Sequence, residues 1–157
     1  SYGGMVATGV ADRARVRIAR LVYLDAFVPD NGQSLIDLLG ERERQRHLDS
    51  VKNGDGWRVQ PNPIPPDTSE EDAAWVARFR LSQSARCFSQ PLRLGAPLTL
   101  PRSYIWCTRG AELRPFGQFA ARAKREGWPL HEIDSTHSPN VTAPDALVEL
   151  LRQILPA

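Results

Sequence analysis

Three short apolar stretches constrain the fold of this chain most: LVYL at 21–24, SYIWC at 103–107 and PLHEI at 129–133. LVYL is an unbroken apolar run rather than an alternating one, as expected of a strand buried on both faces of a parallel sheet. Around these runs lie segments of helical spacing. Met5, Val6, Gly9 and Val10 share one face of a helix predicted over 2–14. Phe116, Phe119, Ala120 and Ala123 do the same over 114–126, where Gly127 supplies the stop. Leu147, Val148, Leu151 and Ile154 form the apolar face of a final helix, with Thr142, Pro144 and Asp145 reading as its TAPD capping box. Strands alternating with helices imply a parallel sheet flanked by helices, an α/β fold. Gly3, Gly4 and Gly9 are poor helix formers, so close approach of the first helix to a neighbouring strand is expected to require them.

The middle of the chain has another texture. A helix starts at Ser34, with Asp37 three residues on, and ends in a polar stretch. PNPIPPD at 61–67 cannot lie inside a helix. A second helix begins near Ser69 and carries Trp75, Val76 and Phe79 on one face. The expected organisation is a core from 1–27 and 100–157, with 28–99 inserted as a mainly helical cap. The 157 residues suffice for one domain, and 41% apolar composition suffices for a core. Twenty basic and 18 acidic residues give a net charge of +2. They are interleaved, as in ERERQR, which is a solvated helix face and not a nucleic-acid surface. No apolar run has the length of a membrane helix, and no leader pattern is visible. Cys87 and Cys107 form no motif, so reduced thiols and a cytoplasmic location are expected. Three histidines without a Cys/His cluster predict no metal.

The chemistry begins at the first residue. A nucleophile elbow, G-x-S-x-G, is a tight strand-to-helix turn that needs small residues beside its serine. Ser1-Tyr2-Gly3-Gly4, followed at once by a helix, reads as the second half of such an elbow. Ser1 would be the nucleophile and the Tyr2 N–H one oxyanion donor. His137 falls in the loop DSTHSPNV, between the last strand and the last helix. His131 sits within a strand and reads as structural; His47, in the polar part of a helix, reads as solvated.

SYGGM, LVYLDAFVP, YIWCT and STHSPNVTAPDAL resemble the small lipase-like esterases of the α/β-hydrolase superfamily related to plant methyl esterases and hydroxynitrile lyases. The resemblance covers essentially the whole chain, most clearly 1–40 and 100–157. It implies a C-terminal half of that fold, a parallel sheet flanked by helices with a cap. His137 would take the proton from Ser1 and return it to the leaving group. The family usually carries its acid just after the strand that SYIWC represents. Here CTRGAELRPF places Gly110 near that position and Glu112 as the nearest carboxylate. Some lipases of this fold carry the acid one strand earlier, where Asp25 stands. A buried carboxylate there needs a partner, and a His137 imidazolium would be one. Asp25 leads, with Glu112, Asp134 and no acid as alternatives. Ser138 stands where hydroxynitrile lyases carry a lysine, which favours ester hydrolysis.

The implied function is a serine hydrolase of small carboxylic esters, needing no cofactor or metal. Trp57, Trp75 and Phe79 either line a substrate pocket or pack the cap helices together. Because the strands upstream of the elbow are missing from this reading, a fragment with little activity alone is expected, with self-association through a bare sheet edge. A hydrolase-like protein that binds a small molecule without catalysis is the alternative. An N-terminal-nucleophile hydrolase, with the Ser1 amine as base, would need a four-layer fold, against which the single parallel sheet argues.

Overall fold

A computed structural model describes residues 1–155. Its centre is a three-stranded parallel sheet in the order β1 (Leu21–Leu24), β4 (Arg102–Cys107), β5 (Leu130–Ile133). Leu21 pairs with Arg102 and Leu24 with Ile105; Tyr104 pairs with Leu130 and Cys107 with Ile133. Tyr104, Ile105 and Cys107 are fully buried, as a central strand covered on both faces requires. Helix α1 (Gly3–Arg13) and α5 (Gly117–Arg125) carry Met5, Ala11, Phe119, Ala120 and Ala123 into one core with Tyr23, Phe27 and Tyr104. The last helix, α7 (Pro144–Ile154), packs Leu147 and Ile154 against Ile105, Cys107 and Ile133.

The glycine of α1 that the packing requires is Gly4. A Cβ there would lie 2.0 Å from the Phe27 carbonyl oxygen, whereas at Gly3 it would meet nothing within 4 Å. Thr8, one turn on, bonds its hydroxyl to the Gly4 carbonyl at 2.7 Å and to the Tyr23 hydroxyl at 2.8 Å. Helix α1 is thereby locked to β1 and to the residues that follow it.

Residues 28–99 contain α2 (Glu41–Asn53), α3 (Glu70–Ala77), α4 (Ala85–Ser89) and a two-stranded antiparallel pair, β2 (Arg58–Val59) with β3 (Gln83–Ser84). Val28, Leu35 and Leu38 are buried in the main core. Gly32 N–H donates to the Leu92 carbonyl and Leu92 N–H to the Gln33 carbonyl, both at 2.8 Å. The excursion away from the core therefore leaves and returns at a neck near residues 33 and 92.

Several local expectations are revised. Ser34 and Asp37 do exchange bonds, at 2.7 and 2.8 Å, but they close a single tight turn, Ile36–Leu38, and α2 restarts after Gly40. Ser69 caps α3 by accepting from Asp72 N–H at 3.1 Å. Thr142 does not cap α7. It ends the short α6 (Pro139–Thr142) and bonds Ser135 Oγ at 2.8 Å and the Ser138 carbonyl at 3.2 Å. Helix α5 begins at Gly117 rather than 114. His47 is 8% exposed, not solvated: its ring packs edge-on against Phe88 at 4.7 Å.

Candidate active site

In a parallel sheet with helices on its faces, ligands bind beyond the carboxyl ends of the strands. Three residues singled out in the sequence converge there. Asp25 follows β1 and is fully buried. Its φ is +40°, which is unusual for a residue other than glycine and costs about 1–3 kcal/mol. Its N–H donates to the Ile105 carbonyl at 2.8 Å, fixing it to the end of β4. His137 follows β5, and its Nδ1 lies 2.8 Å from Asp25 Oδ2. A carboxylate only accepts, so Nδ1 carries a proton, and in the neutral ring Nε2 is the acceptor. Ser1 is tied to the same place through its carbonyl, which accepts from Gly4 N–H at 3.1 Å and from Phe27 N–H at 3.2 Å.

The surroundings of the pair are specific. Arg114 Nε lies 3.5 Å from Asp25 Oδ2, and its Nη2 donates to the Cys107 carbonyl at 2.8 Å. The Cys107 N–H donates to Asp25 Oδ1 at 3.4 Å. The Cys107 thiol is pushed up to about 12, by burial first and by the Asp25 charge second. Phe116 stacks on the His137 ring, with centroids 4.8 Å apart and planes 3° apart. Tyr2 turns its hydroxyl to the Cys87 carbonyl at 3.0 Å and its ring to Phe88 at 5.4 Å. The Tyr2 N–H stands before the first turn of α1, where backbone donors lack intrahelical partners. Among the described residues no hydrogen bond joins Ser1 Oγ to His137. Catalytic hydrogen bonds are often loose without substrate and tighten in the complex.

Other candidates lie elsewhere. Glu112 is exposed, just past the left-handed Gly110. Asp134 is bound by Arg109 at 2.8 and 3.1 Å, which holds its carboxyl below the ordinary carboxylate range. Trp57, Trp75 and Phe79 are 56%, 52% and 65% exposed. Trp57 lies under the Arg58 guanidinium, and Trp75 packs on Phe79 at 5.2 Å. Two aromatic side chains join this region from afar: Phe116 stacks on His137, and Phe88 packs on Tyr2. Their role depends on contacts with partners 21 and 86 positions away in the chain, which no local pattern encodes. Among the described residues no group of three His, Cys, Asp or Glu side chains could hold a metal ion, and no helix is long and apolar enough to cross a membrane.

Comparison with known proteins decides the family. The model of the alpha/beta hydrolase family matches residues 1–150. The chain belongs to the alpha/beta hydrolase family. It is 34% identical over 163 aligned residues to the carbendazim hydrolyzing esterase of Nocardioides sp. (strain SG-4G), covering 96% of this chain and 67% of that protein. An extracellular alpha/beta-hydrolase from a Paenibacillus species superposes with a TM-score of 0.83 at 22% identity, over 98% of this chain and 68% of that one. Polyneuridine aldehyde esterase superposes with a TM-score of 0.69 at 17% identity, over 98% and 69%.

These findings correct two expectations. The chain is not merely a C-terminal half of the α/β-hydrolase fold: the family match runs through residues 1–150, the 28–99 segment included, and the chain spans about two thirds of the relatives' length. The α/β-hydrolase domain therefore occupies nearly the whole chain. The expected cytoplasmic location is withdrawn, because a structural relative matched over 98% of this alpha/beta hydrolase is described as extracellular.

Proposed function

We propose that this alpha/beta hydrolase cleaves small carboxylic esters through an acyl-enzyme formed on Ser1. Its being an enzyme of the carboxylic ester hydrolase type follows from its family and from the esterases among its relatives. The observation that carries the finer reading is the 2.8 Å bond from His137 Nδ1 to the buried Asp25 carboxylate, beside the Ser1 turn. In this reading His137 Nε2 takes the Ser1 hydroxyl proton as Oγ attacks the carbonyl carbon. Asp25 holds the ring and stabilises the imidazolium that forms. The Tyr2 N–H donates to the tetrahedral oxyanion. The imidazolium returns its proton to the departing alkoxide, and a water activated by His137 then releases the acid. No cofactor or metal enters these steps.

Residues 28–99 form the cap in this proposal. Trp57, Trp75 and Phe79 are exposed on it and are its candidate substrate contacts. Strand β1 is bonded on one side only, to β4, so self-association through its open edge belongs to the same reading. A sedimentation experiment that finds only monomer at tens of micromolar would remove that part.

The test is labelling with a fluorophosphonate, mapped by mass spectrometry, beside His137→Ala. Labelling at Ser1 that vanishes in His137→Ala is the expected result. Labelling elsewhere would overturn the nucleophile, and ligand binding without any labelling would favour a binding protein on the same fold.

A further inference from the structure

We propose that Asp67 is a positioning residue of this active site, through which the 28–99 segment sets the place of His137. The proposal rests on His137 being the base. His137 itself is held by one hydrogen bond and one ring stack. Its loop is held more tightly. Arg109 N–H donates to the Ser135 carbonyl at 3.1 Å, and the Arg109 side chain grips Asp134. Thr136, the residue directly before His137, is 8% exposed and is bound from the other side of the sequence. Its N–H donates to Asp67 Oδ2 at 3.3 Å, and its hydroxyl donates to Asp67 Oδ1. Asp67 also lies 3.7 Å from Arg109 Nη1. One carboxylate thus takes both donors of Thr136 and faces the cation that holds Asp134.

The chain is built to present that carboxylate. Thr68 N–H donates to the Pro65 carbonyl at 3.1 Å, closing a four-residue turn. Pro66 occupies its second position, where the fixed φ of proline is favoured. Asp67 is next, and its side chain is only 17% exposed on an otherwise polar connection. Hydrogen bonds to an ionised acceptor are about twice as strong as neutral ones. With both donors of Thr136 fixed, the backbone entering His137 has little freedom. Misplacing a reacting group by about 1 Å costs on the order of 100-fold in rate.

The experiment compares wild type with Asp67→Ala, Asp67→Asn, Thr136→Val and the Asp67→Ala/Thr136→Val pair. It uses p-nitrophenyl acetate for kcat and KM, and thermal melting for folding. Asp67→Ala is expected to lower kcat about 10- to 100-fold with KM little changed, and to lower the melting midpoint by a few degrees as the Thr136 bonds are lost. Asp67→Asn keeps an oxygen acceptor and should recover to within about 5-fold of wild type. Thr136→Val should lower kcat too, and the pair should be no worse than Asp67→Ala alone, since both changes break one interaction. The downfield proton on His137 Nδ1, read by NMR, should broaden in Asp67→Ala and return in Asp67→Asn. Wild-type kcat and an unchanged proton signal in Asp67→Ala would overturn the proposal. So would a rise in KM alone, which would make Asp67 a substrate contact. A lowered melting midpoint with kcat intact would overturn it as well, leaving only a structural tie. If the wild type neither turns over nor labels at Ser1, the hydrolase reading fails, and the NMR comparison still decides whether Asp67 places His137.

Discussion

A single methyl group at Gly4 should do more harm than almost any other conservative change in this chain. An alanine Cβ there would sit 2.0 Å from the Phe27 carbonyl oxygen, 3.0 Å from its carbon and 3.2 Å from Ala26 Cβ. Real contacts stay above 3.0 Å, so α1 and residues 26–27 must part by at least about 1 Å, the difference between 3.0 and 2.0. The opposing atoms are backbone and cannot swing aside. Overpacking of this kind costs about 1–3 kcal/mol. The bond from Phe27 N–H to the Ser1 carbonyl, already 3.2 Å, spans the same gap and would be lost for about 1 kcal/mol more. The sum, roughly 2–4 kcal/mol, corresponds to a fall of about 4–16 °C in melting midpoint for a chain of this size. Gly3→Ala is the control, because its Cβ meets nothing within 4 Å. It should gain about 0.5–1 kcal/mol from helix propensity. Urea denaturation of both variants measures the difference. Fluorophosphonate labelling below the melting range adds a second reading, since the shift moves Ser1 away from Asp25. If Gly4→Ala were as stable as Gly3→Ala, the close approach of α1 to residues 26–27, and the anchoring of Ser1 built on it, would be refuted.

Three further outcomes are expected. Asp25→Asn should lower kcat about 10³- to 10⁴-fold, because the amide favours the wrong imidazole tautomer. Asparagine tolerates the positive φ at that position, so folding should survive; Glu112→Gln should change kcat by less than 2-fold, and the reverse ranking would move the acid to Glu112. His47 has its pKa lowered, by burial first and by Arg46 second. The unfolded chain therefore takes up that proton near pH 6.5 while the folded one resists, so its contribution is present above pH 6.5 and is lost as the pH falls through the lower folded value. The pH dependence of the urea midpoint between 7 and 5 should be shallower in His47→Gln, and an identical slope would exclude His47 as a source. Finally, Cys107, buried and pushed up to about 12, should resist a thiol reagent until unfolding, while half-buried Cys87 reacts first. Equal rates for the two, followed by mass spectrometry, would contradict the burial of Cys107.

What the sequence disclosed follows from the range over which its patterns act. The three sheet strands were legible because a buried parallel strand is a local run of apolar residues, as in LVYL and SYIWC. Asp25 and His137 stood out because each follows a strand, and in a parallel sheet those ends meet; Ser1 stood out because small residues and a helix follow it at once. The requirement for a glycine in α1 was legible, but not which glycine, since only the Phe27 carbonyl distinguishes Gly4 from Gly3. The TAPD pattern misled for a related reason. A capping box is a local preference worth about 1 kcal/mol, and Thr142 instead bonds Ser135 and Ser138 within the His137 loop. His47 looked solvated because its neighbours are charged, yet Phe88, 41 residues away, covers its ring.

The same reasoning applies to the 28–99 segment, which composition sets apart and contacts tie to the core. Its composition differs from the rest, which is all that a scan along the chain detects. Its contacts run the other way. Val28, Leu35 and Leu38 complete the main core, Gln118 Nε2 donates to the Leu38 carbonyl at 3.2 Å, and Asp67 takes both donors of Thr136. A segment that supplies part of the core and also binds the residue before His137 cannot move as a detached lid without disturbing both. Opening far enough to expose Thr136 must break the Asp67 bonds, so any motion admitting a large substrate would loosen His137 as well. Substrates small enough to reach Ser1 with those bonds intact should therefore keep kcat high. Larger acyl groups should lose kcat before KM rises, and a series of p-nitrophenyl esters of increasing acyl length would show that order, or its reverse if the segment opens independently of His137.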